Sequence, residues 1–303
     1  MDKILEILIG ADIMAADEAE NIVYLNGKFL DKNDAKISVF DRGFIFGDGI
    51  YEVVPIINSK LVDKEDFWER FQRSLKAIEL ELPIDKDKFE KILYALIEKN
   101  SVKEGGIYME VTRGVSEREF KFIKGLEPTV MAFVYQKEIF NNEYAKTGIE
   151  VVSTPDIRWK RRDIKSISLL AQCYAKNEAY KAGAYESFMV EDGFVTEASS
   201  SSAFIIKNDT LITKPLSNEI LPGIRRKVLL TLANEVGLKV EQRKFTMDEV
   251  YSADEVFISA ATLILLPVIK ADGKPINNAK IGKYSPKLRE LYIERLKKEA
   301  GLI

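Results

Sequence analysis

Three stretches of the 303-residue chain carry side chains capable of chemistry. In Asp163-Ile164-Lys165-Ser166-Ile167-Ser168-Leu169-Leu170 a lysine stands between the cations Lys160, Arg161 and Arg162 and an apolar run. Partial burial and neighbouring positive charge disfavour an ammonium, so an amine placed there can act as a nucleophile or Schiff-base residue. The same spacing also describes a surface basic run leading into a helix. Glu197, followed by Ala198 and the serines Ser199 to Ser202, lies between two apolar runs. The hydroxyls can bond around a polar ligand and the carboxylate can hold a protonated ring nitrogen, although a plain polar turn has the same composition. At Pro222-Gly223-Ile224 a helix start offers free N–H groups to a phosphate, with Arg225 and Arg226 adding positive charge.

Composition narrows what these residues can do. The chain has no histidine, which excludes Ser-His-Asp, Cys-His and His-based metal sites. Any acid or base must be Lys, Tyr, Asp, Glu or Cys, and no metal site is expected. Forty-five basic against 48 acidic residues leave a net charge of -3, no footprint for nucleic acid. The single Cys173 forms no internal disulfide and fits a reducing cytoplasm. Ile4 to Ala16 is apolar but broken by Glu6 and Asp12, with only Lys3 before it. It reads as an amphipathic extension over residues 1–21, or as a start-site artefact with Met14 as the true start, rather than as a signal peptide. Val256 to Ile269 is too short to span a bilayer, so no membrane helix is expected.

The elements that must position these residues fall into two groups. Asn26-Gly27, between apolar runs, predicts a hairpin. Ile50 to Ile57 reads as a strand, Asp63 to Leu80 and the Phe89-Ile92-Leu93-Leu96 pattern as helices, and Ile107 to Thr112 and Thr129 to Tyr135 as strands. These make a small α+β domain over 22–138. After a polar linker from Gln136 to Gly148, a larger domain over 149–303 carries strands at 149–152, 187–190, 203–206, 239–243 and 255–259. Its helices are expected at 169–181, 224–236 and 286–298.

The order of several motifs resembles that of the fold-type IV aminotransferases, which use pyridoxal 5′-phosphate (PLP), and within them the D-amino acid aminotransferases. Asp41-Arg42-Gly43 precedes Phe46-Gly47-Asp48-Gly49-Ile50-Tyr51-Glu52, then Val111-Thr112-Arg113-Gly114, Asp156-Ile157-Arg158-Trp159, Asp163-Ile164-Lys165-Ser166, Val195-Thr196-Glu197 and Leu221-Pro222-Gly223-Ile224. The resemblance runs from about Tyr24 to Glu294. It implies an α/β enzyme of two domains, a small α+β domain followed by a larger mixed-sheet, barrel-like one.

By this resemblance Lys165 is the Schiff-base lysine and proton carrier, Glu197 pairs with the pyridine nitrogen, and Arg70 binds the phosphate with the N–H groups of Ile224 and Arg225. Ser199 and Ser200 belong to the cofactor's polar surroundings, and Leu221 packs on the ring. Ala261 stands where the D-amino acid enzymes offer a Thr hydroxyl, so only its N–H can serve, with Ser259 or Thr262 compensating. Tyr51 and Arg118, the latter reaching in from a second subunit of a homodimer, bind the substrate carboxylate, and Val53 faces the side-chain pocket. Phe120 occupies the position of a family histidine, exchanging a polar donor for apolar area.

The implied reaction is transamination between D-amino acids of the D-alanine and D-glutamate type and 2-oxo acids. Branched-chain L-amino acid aminotransferases usually carry a Tyr five positions beyond the Schiff-base lysine and a Gly after the Glu of the first strand. Here those positions hold Leu170 and Val53. An aminodeoxychorismate lyase, sharing the fold and the lysine, is the other alternative.

Overall fold

The computed structural model describes residues 21–303, so all but the last residue of the expected N-terminal extension lies outside the described residues. Asn26 and Gly27 take φ of 46° and 88°, the left-handed pair a type I′ turn needs. They fold β1 (Ile22–Leu25) onto β2 (Lys28–Asp31). A short helix α1 (Arg42–Phe46) follows, too brief to show a periodic pattern, then β3 (Gly49–Ile57) and β4 (Lys60–Leu61). Helices α2 (Lys64–Ala77) and α3 (Lys86–Lys99) precede β5 (Glu104–Thr112) and β6 (Thr129–Gln136).

These strands form one antiparallel sheet in the order β2-β1-β6-β5-β3-β4. Alternation along β3 and β5 decides its two faces. Ile50, Val54, Ile56, Ile107, Met109 and Val111 bury against Phe67, Phe71 and Leu93 of α2 and α3. Each large apolar side chain so buried is worth about 1.5–3 kcal/mol. Tyr51, Val53, Tyr108 and Glu110 stand on the opposite, half-buried face.

The second sheet begins after α4 (Tyr144–Thr147) with β7 (Ile149–Pro155), α5 (Leu170–Lys181), β8 (Glu186–Glu191), β9 (Phe194–Ala198), β10 (Ser202–Lys207) and β11 (Thr210–Thr213). It continues through α6 (Ile224–Glu235), β12 (Lys239–Gln242), α7 (Met247–Ser252), β13 (Glu255–Ser259), β14 (Leu266–Ala271) and β15 (Lys274–Pro275) and ends in α8 (Tyr284–Ala300). β7 and β8, and likewise β11 and β12, are parallel pairs joined through a helix, so the sheet is mixed. Its path runs β12-β11-β10-β13-β14-β7-β8-β9. The Ser199–Ser201 turn nevertheless joins β9 directly to β10, with Ala198 N–H donating to Ser201 O at 2.8 Å. The sheet therefore curls into a partial barrel.

The two sheets share core. Ile164 and Ile224 lie within the cluster under α2 and α3, while Ile57 and Val62 pack with Leu229, Leu288 and Tyr292 of α6 and α8. Asp63, the N-cap residue of α2, is left-handed (φ 52°) and its side chain makes no capping bond. Its carboxylate instead pairs with Arg225 and accepts the Tyr292 hydroxyl at 2.8 Å, tying the two halves together. Among the described residues no helix is long and apolar enough to cross a membrane, and no group of three or more His, Cys, Asp or Glu could hold a metal ion.

Candidate active site

The segment bearing Lys165 is stitched to the edge of β3, in the other sheet. Tyr51 N–H donates to Lys165 O at 3.0 Å and Ile167 N–H to Gly49 O at 3.2 Å, with Ser166 bridging Ile50. Two glycines make this approach possible. A Cβ on Gly49 would stand 3.0 Å from Ile167 Cδ1, and one on Gly47, whose φ is 67°, 2.3 Å from Ser168 Oγ. The result places Lys165 Nζ 4.1 Å from the centre of the Tyr51 ring. The expected crowding by other cations is not what the structure gives. Lys160 and Arg162 both reach Glu191, Arg162 also pairs with Asp156, and Arg161 pairs with Asp163, so their charge is spent on carboxylates.

One face of α2 connects this segment to the Leu221–Gly223 turn. Ser74 Oγ accepts the Lys165 N–H at 3.2 Å, and Arg70, one turn earlier, donates to Pro222 O at 3.2 Å. One helical turn is about 5.4 Å, so the two segments meet the same stripe of the helix close together. Arg70 is buried and grips Glu52 through two bonds of 2.7 Å, a bidentate pair that fixes its guanidinium.

Glu197, on β9, is buried next to the same turn. Both of its oxygens accept from Leu221 N–H at 3.3 Å, and Arg158 bonds one of them. Arg158 also holds Asp156 at 2.9 and 2.6 Å, while Thr196 donates to Asp156 at 2.6 Å. Burial raises the pKa of Glu197 above the usual carboxylate range, against the pull of Arg158 and of the Leu221 N–H. Burial opposes the charge on Arg158 as well, but Glu197 and Asp156 outweigh it and hold the guanidinium above its ordinary value. The sequence quotes Arg158 and Asp156 only as part of a motif; their position beneath Glu197 is what gives them a role.

At the start of α6 a Cβ on Gly223 would meet Ser202 Oγ at 2.6 Å, so only a glycine lets the Ser202 hydroxyl pack this close to the backbone. Lys227 N–H is the first to bond back, to Gly223 O at 3.1 Å, which leaves the N–H groups of Ile224 and Arg225 without an intrahelical acceptor. The side chains of Arg225 and Arg226, expected to add charge here, turn elsewhere. Arg225 pairs with Asp63 and donates twice to Ala261 O, at 3.1 and 2.8 Å, and Arg226 reaches Lys214 O and Gln242, both at 2.8 Å. Arg225 thereby holds the 260–264 loop beside the helix start. In that loop Ser259 Oγ is committed to Ile264 O at 2.6 Å and cannot compensate for Ala261. Thr262, in the same loop, is buried. Ile264, a β-branched residue at φ 60°, is strained there.

The serine run serves a different group from the one expected. Ser199 and Ser200 bond the buried carboxylate of Glu186, and Ser201 approaches it at 3.4 Å. A carboxylate with no exposure needs such donors, so the hydroxyls of Ser199 and Ser200 are not free to line a ligand.

Of the expected substrate residues, Tyr51 and Val53 lie on the sheet face beneath Lys165 Nζ. Arg118 and Phe120 lie apart, on an exposed loop. Phe120 is 72% exposed, its ring is 5.5 Å from that of Phe46, and the Arg118 guanidinium stands 4.9 Å over it. Arg42 holds this loop by donating to Glu119 O at 2.5 Å, and Asp48, bonded at 2.7 and 2.8 Å, fixes both Arg42 and Arg113. Ile37, Val39, Phe40, Phe44, Val115 and Phe122 are exposed on the same two segments.

Comparison with known proteins places this geometry. The family model for amino-transferase class IV matches residues 49–271. A D-alanine aminotransferase of Staphylococcus aureus (strain N315) is 38% identical over 271 residues, 88% of this chain and 95% of that protein. One from Bacillus licheniformis is 35% identical over 260 residues, 86% and 92% of the two. In fold, a branched-chain amino acid aminotransferase of T.th., solved with pyridoxamine 5′-phosphate, superposes with a TM-score of 0.85 over 91% of this chain and 94% of that one, at 22% identity.

Proposed function

Because the chain belongs to the class IV aminotransferases, we propose that it transfers amino groups between D-amino acids and 2-oxo acids with PLP as cofactor. The observation that carries this reading is the amine of Lys165, held over Tyr51 with no carboxylate partner among the described residues. The donor set around it fits PLP. A buried carboxylate, Glu197, suits a protonated ring nitrogen, and the first N–H groups of α6, which have no intrahelical acceptor, suit a phosphate. Arg70 is pinned at that end beside Pro222, its charge already paired with Glu52.

When bound, PLP supplies an electron sink for the pair released as the substrate Cα–H bond breaks. Lys165 Nζ would hold the cofactor covalently and then carry the proton taken from the substrate Cα to the cofactor's C4′, not back to Cα, so one side chain would serve as nucleophile and as general acid–base. Glu197 would accept from the ring nitrogen, with Arg158 and the Leu221 N–H aiming that carboxylate and opposing the burial that raises its pKa. Tyr51 and Val53 would wall the substrate on the sheet side, and Leu221 would pack on the ring. The exposed loop with Arg118 and Phe120, surrounded by exposed apolar side chains, suits a homodimer in which each loop completes the other subunit's site. The exposed free thiol of Cys173 suits the reducing cytoplasm.

The test is a half-reaction on the PLP-loaded protein with D-alanine, D-glutamate, L-leucine and L-glutamate, following the visible absorbance of the cofactor. The D-isomers are expected to react faster, and faster reaction of the L-isomers overturns the assignment. Release of pyruvate from aminodeoxychorismate without a 2-oxo acid acceptor would instead identify a lyase.

A further inference from the structure

The sheet face that carries Tyr51 also holds a carboxylate with no part in the steps above. Glu110 lies on β5 directly opposite Tyr51, and its neighbours Met109 and Val111 are buried on the other face. Opposed residues of an antiparallel pair keep their Cβ atoms about 4.5–5.5 Å apart. Glu110 therefore projects beside the ring over which Lys165 Nζ stands at 4.1 Å. One of its oxygens accepts the Tyr108 hydroxyl at 2.6 Å, and Tyr108 is itself stacked between Tyr51 and Phe133, at 5.4 and 4.9 Å. Among the described residues the other oxygen accepts no hydrogen bond, yet it is not sealed from solvent, and no lysine or arginine pairs with the group. Burial and the nearby Asp41 raise the pKa of Glu110, against the Tyr108 hydrogen bond. The carboxylate is thus held in place and left without a counter-charge.

We propose that Glu110 sets side-chain preference, favouring substrates whose side chain ends in a cation or hydrogen-bond donor and disfavouring those that end in a carboxylate. This rests on the transamination reading of the same site. A substrate Cα must come within roughly 3–3.5 Å of the lysine amine to react, so a side chain extending over the Tyr51 face meets Glu110. A charge-assisted bond to a donor there contrasts with repulsion of a second carboxylate. D-Glutamate accordingly ranks below D-alanine, and D-ornithine or D-arginine above it.

The experiment is calorimetric titration of the PLP-loaded enzyme with glutarate and with 4-guanidinobutanoate, both of which carry a carboxylate and neither an amine that could react. The native enzyme is expected to bind 4-guanidinobutanoate at least tenfold more tightly than glutarate, and Glu110→Gln to bring the two within about threefold. Tyr108→Phe, which frees the second oxygen but keeps the charge, should retain the preference. Equal affinities, tighter glutarate, no measurable binding of either ligand, or a preference that survives Glu110→Gln overturns the proposal. Neither ligand turns over, so D-alanine consumption measured on the same preparation judges the transamination reading separately. Lost turnover with the ligand preference intact would sink that reading alone.

Discussion

Lys165 Nζ stands 4.1 Å from the centre of the Tyr51 ring, on a segment whose backbone is bonded to Tyr51 itself. The amine of one sheet's segment is thereby registered against a strand of the other, and the pairing of Ile50 with Ser166 leaves little freedom for it to drift. A group held this way stays within the narrow geometry that the proposed proton transfer at carbon would require.

Removing the amine should abolish that chemistry. Lys165→Ala is expected to lower turnover of D-alanine at least about 10³-fold. Borohydride treatment, which fixes PLP to the native peptide containing residue 165, should leave the variant unlabelled by mass spectrometry. Turnover close to native in the variant would refute the assignment.

Asp63 joins the two halves of the molecule. It is buried, as are its partners Arg225 and Tyr292, so Asp63→Ala leaves a guanidinium without its counter-charge at a cost of about 3–5 kcal/mol. The melting temperature should fall by roughly 5–15 °C. Because Arg225 also holds Ala261 O, the variant should retain PLP less well on dialysis. A melting curve unchanged within a degree would show that the pair contributes nothing.

The pKa of Glu110 is raised above its unfolded value of 4.5 by burial. Protonation is therefore tighter in the folded state, so this group favours folding below pH 4.5 and loses that contribution as pH rises through its folded pKa. Glu110→Gln, which carries no charge to bury, should melt about 2 °C higher than the native protein at pH 8, with the gain shrinking as the pH approaches 4.5. A gain that is constant with pH, or largest in acid, would contradict this sign.

Phe120 offers only an apolar ring where a histidine would offer a donor. Phe120→His is expected to lower KM for D-alanine several-fold with less effect on kcat, because a recovered hydrogen bond to the substrate carboxylate acts on binding. An unchanged KM would argue against any role for this loop in the site.

Much of the first sheet and the chemistry-bearing residues were legible in the sequence, because they rest on local signals. Asn26-Gly27 fixes its turn by backbone sterics, α2 is declared by its apolar spacing, and Lys165, Glu197 and the Gly223 helix start stand out by residue type and neighbourhood. Short elements such as α1 and α7 carry too few residues for a period to show. What those side chains bond to depended on contacts between residues far apart in the chain. Four serines in a row announce donors but not the acceptor, and only the curl of the second sheet set three of them, Ser199 to Ser201, on Glu186. Arg225 and Arg226 announce charge at a helix start, yet their long side chains reach away from it, to the buried Asp63 and to Gln242. The alternation of Tyr108 and Glu110 with Met109 and Val111 is written in the sequence. Only the docking of the Lys165 segment on β3 decided that their face belongs to the site, since a strand's period distinguishes two faces but does not say what covers either one.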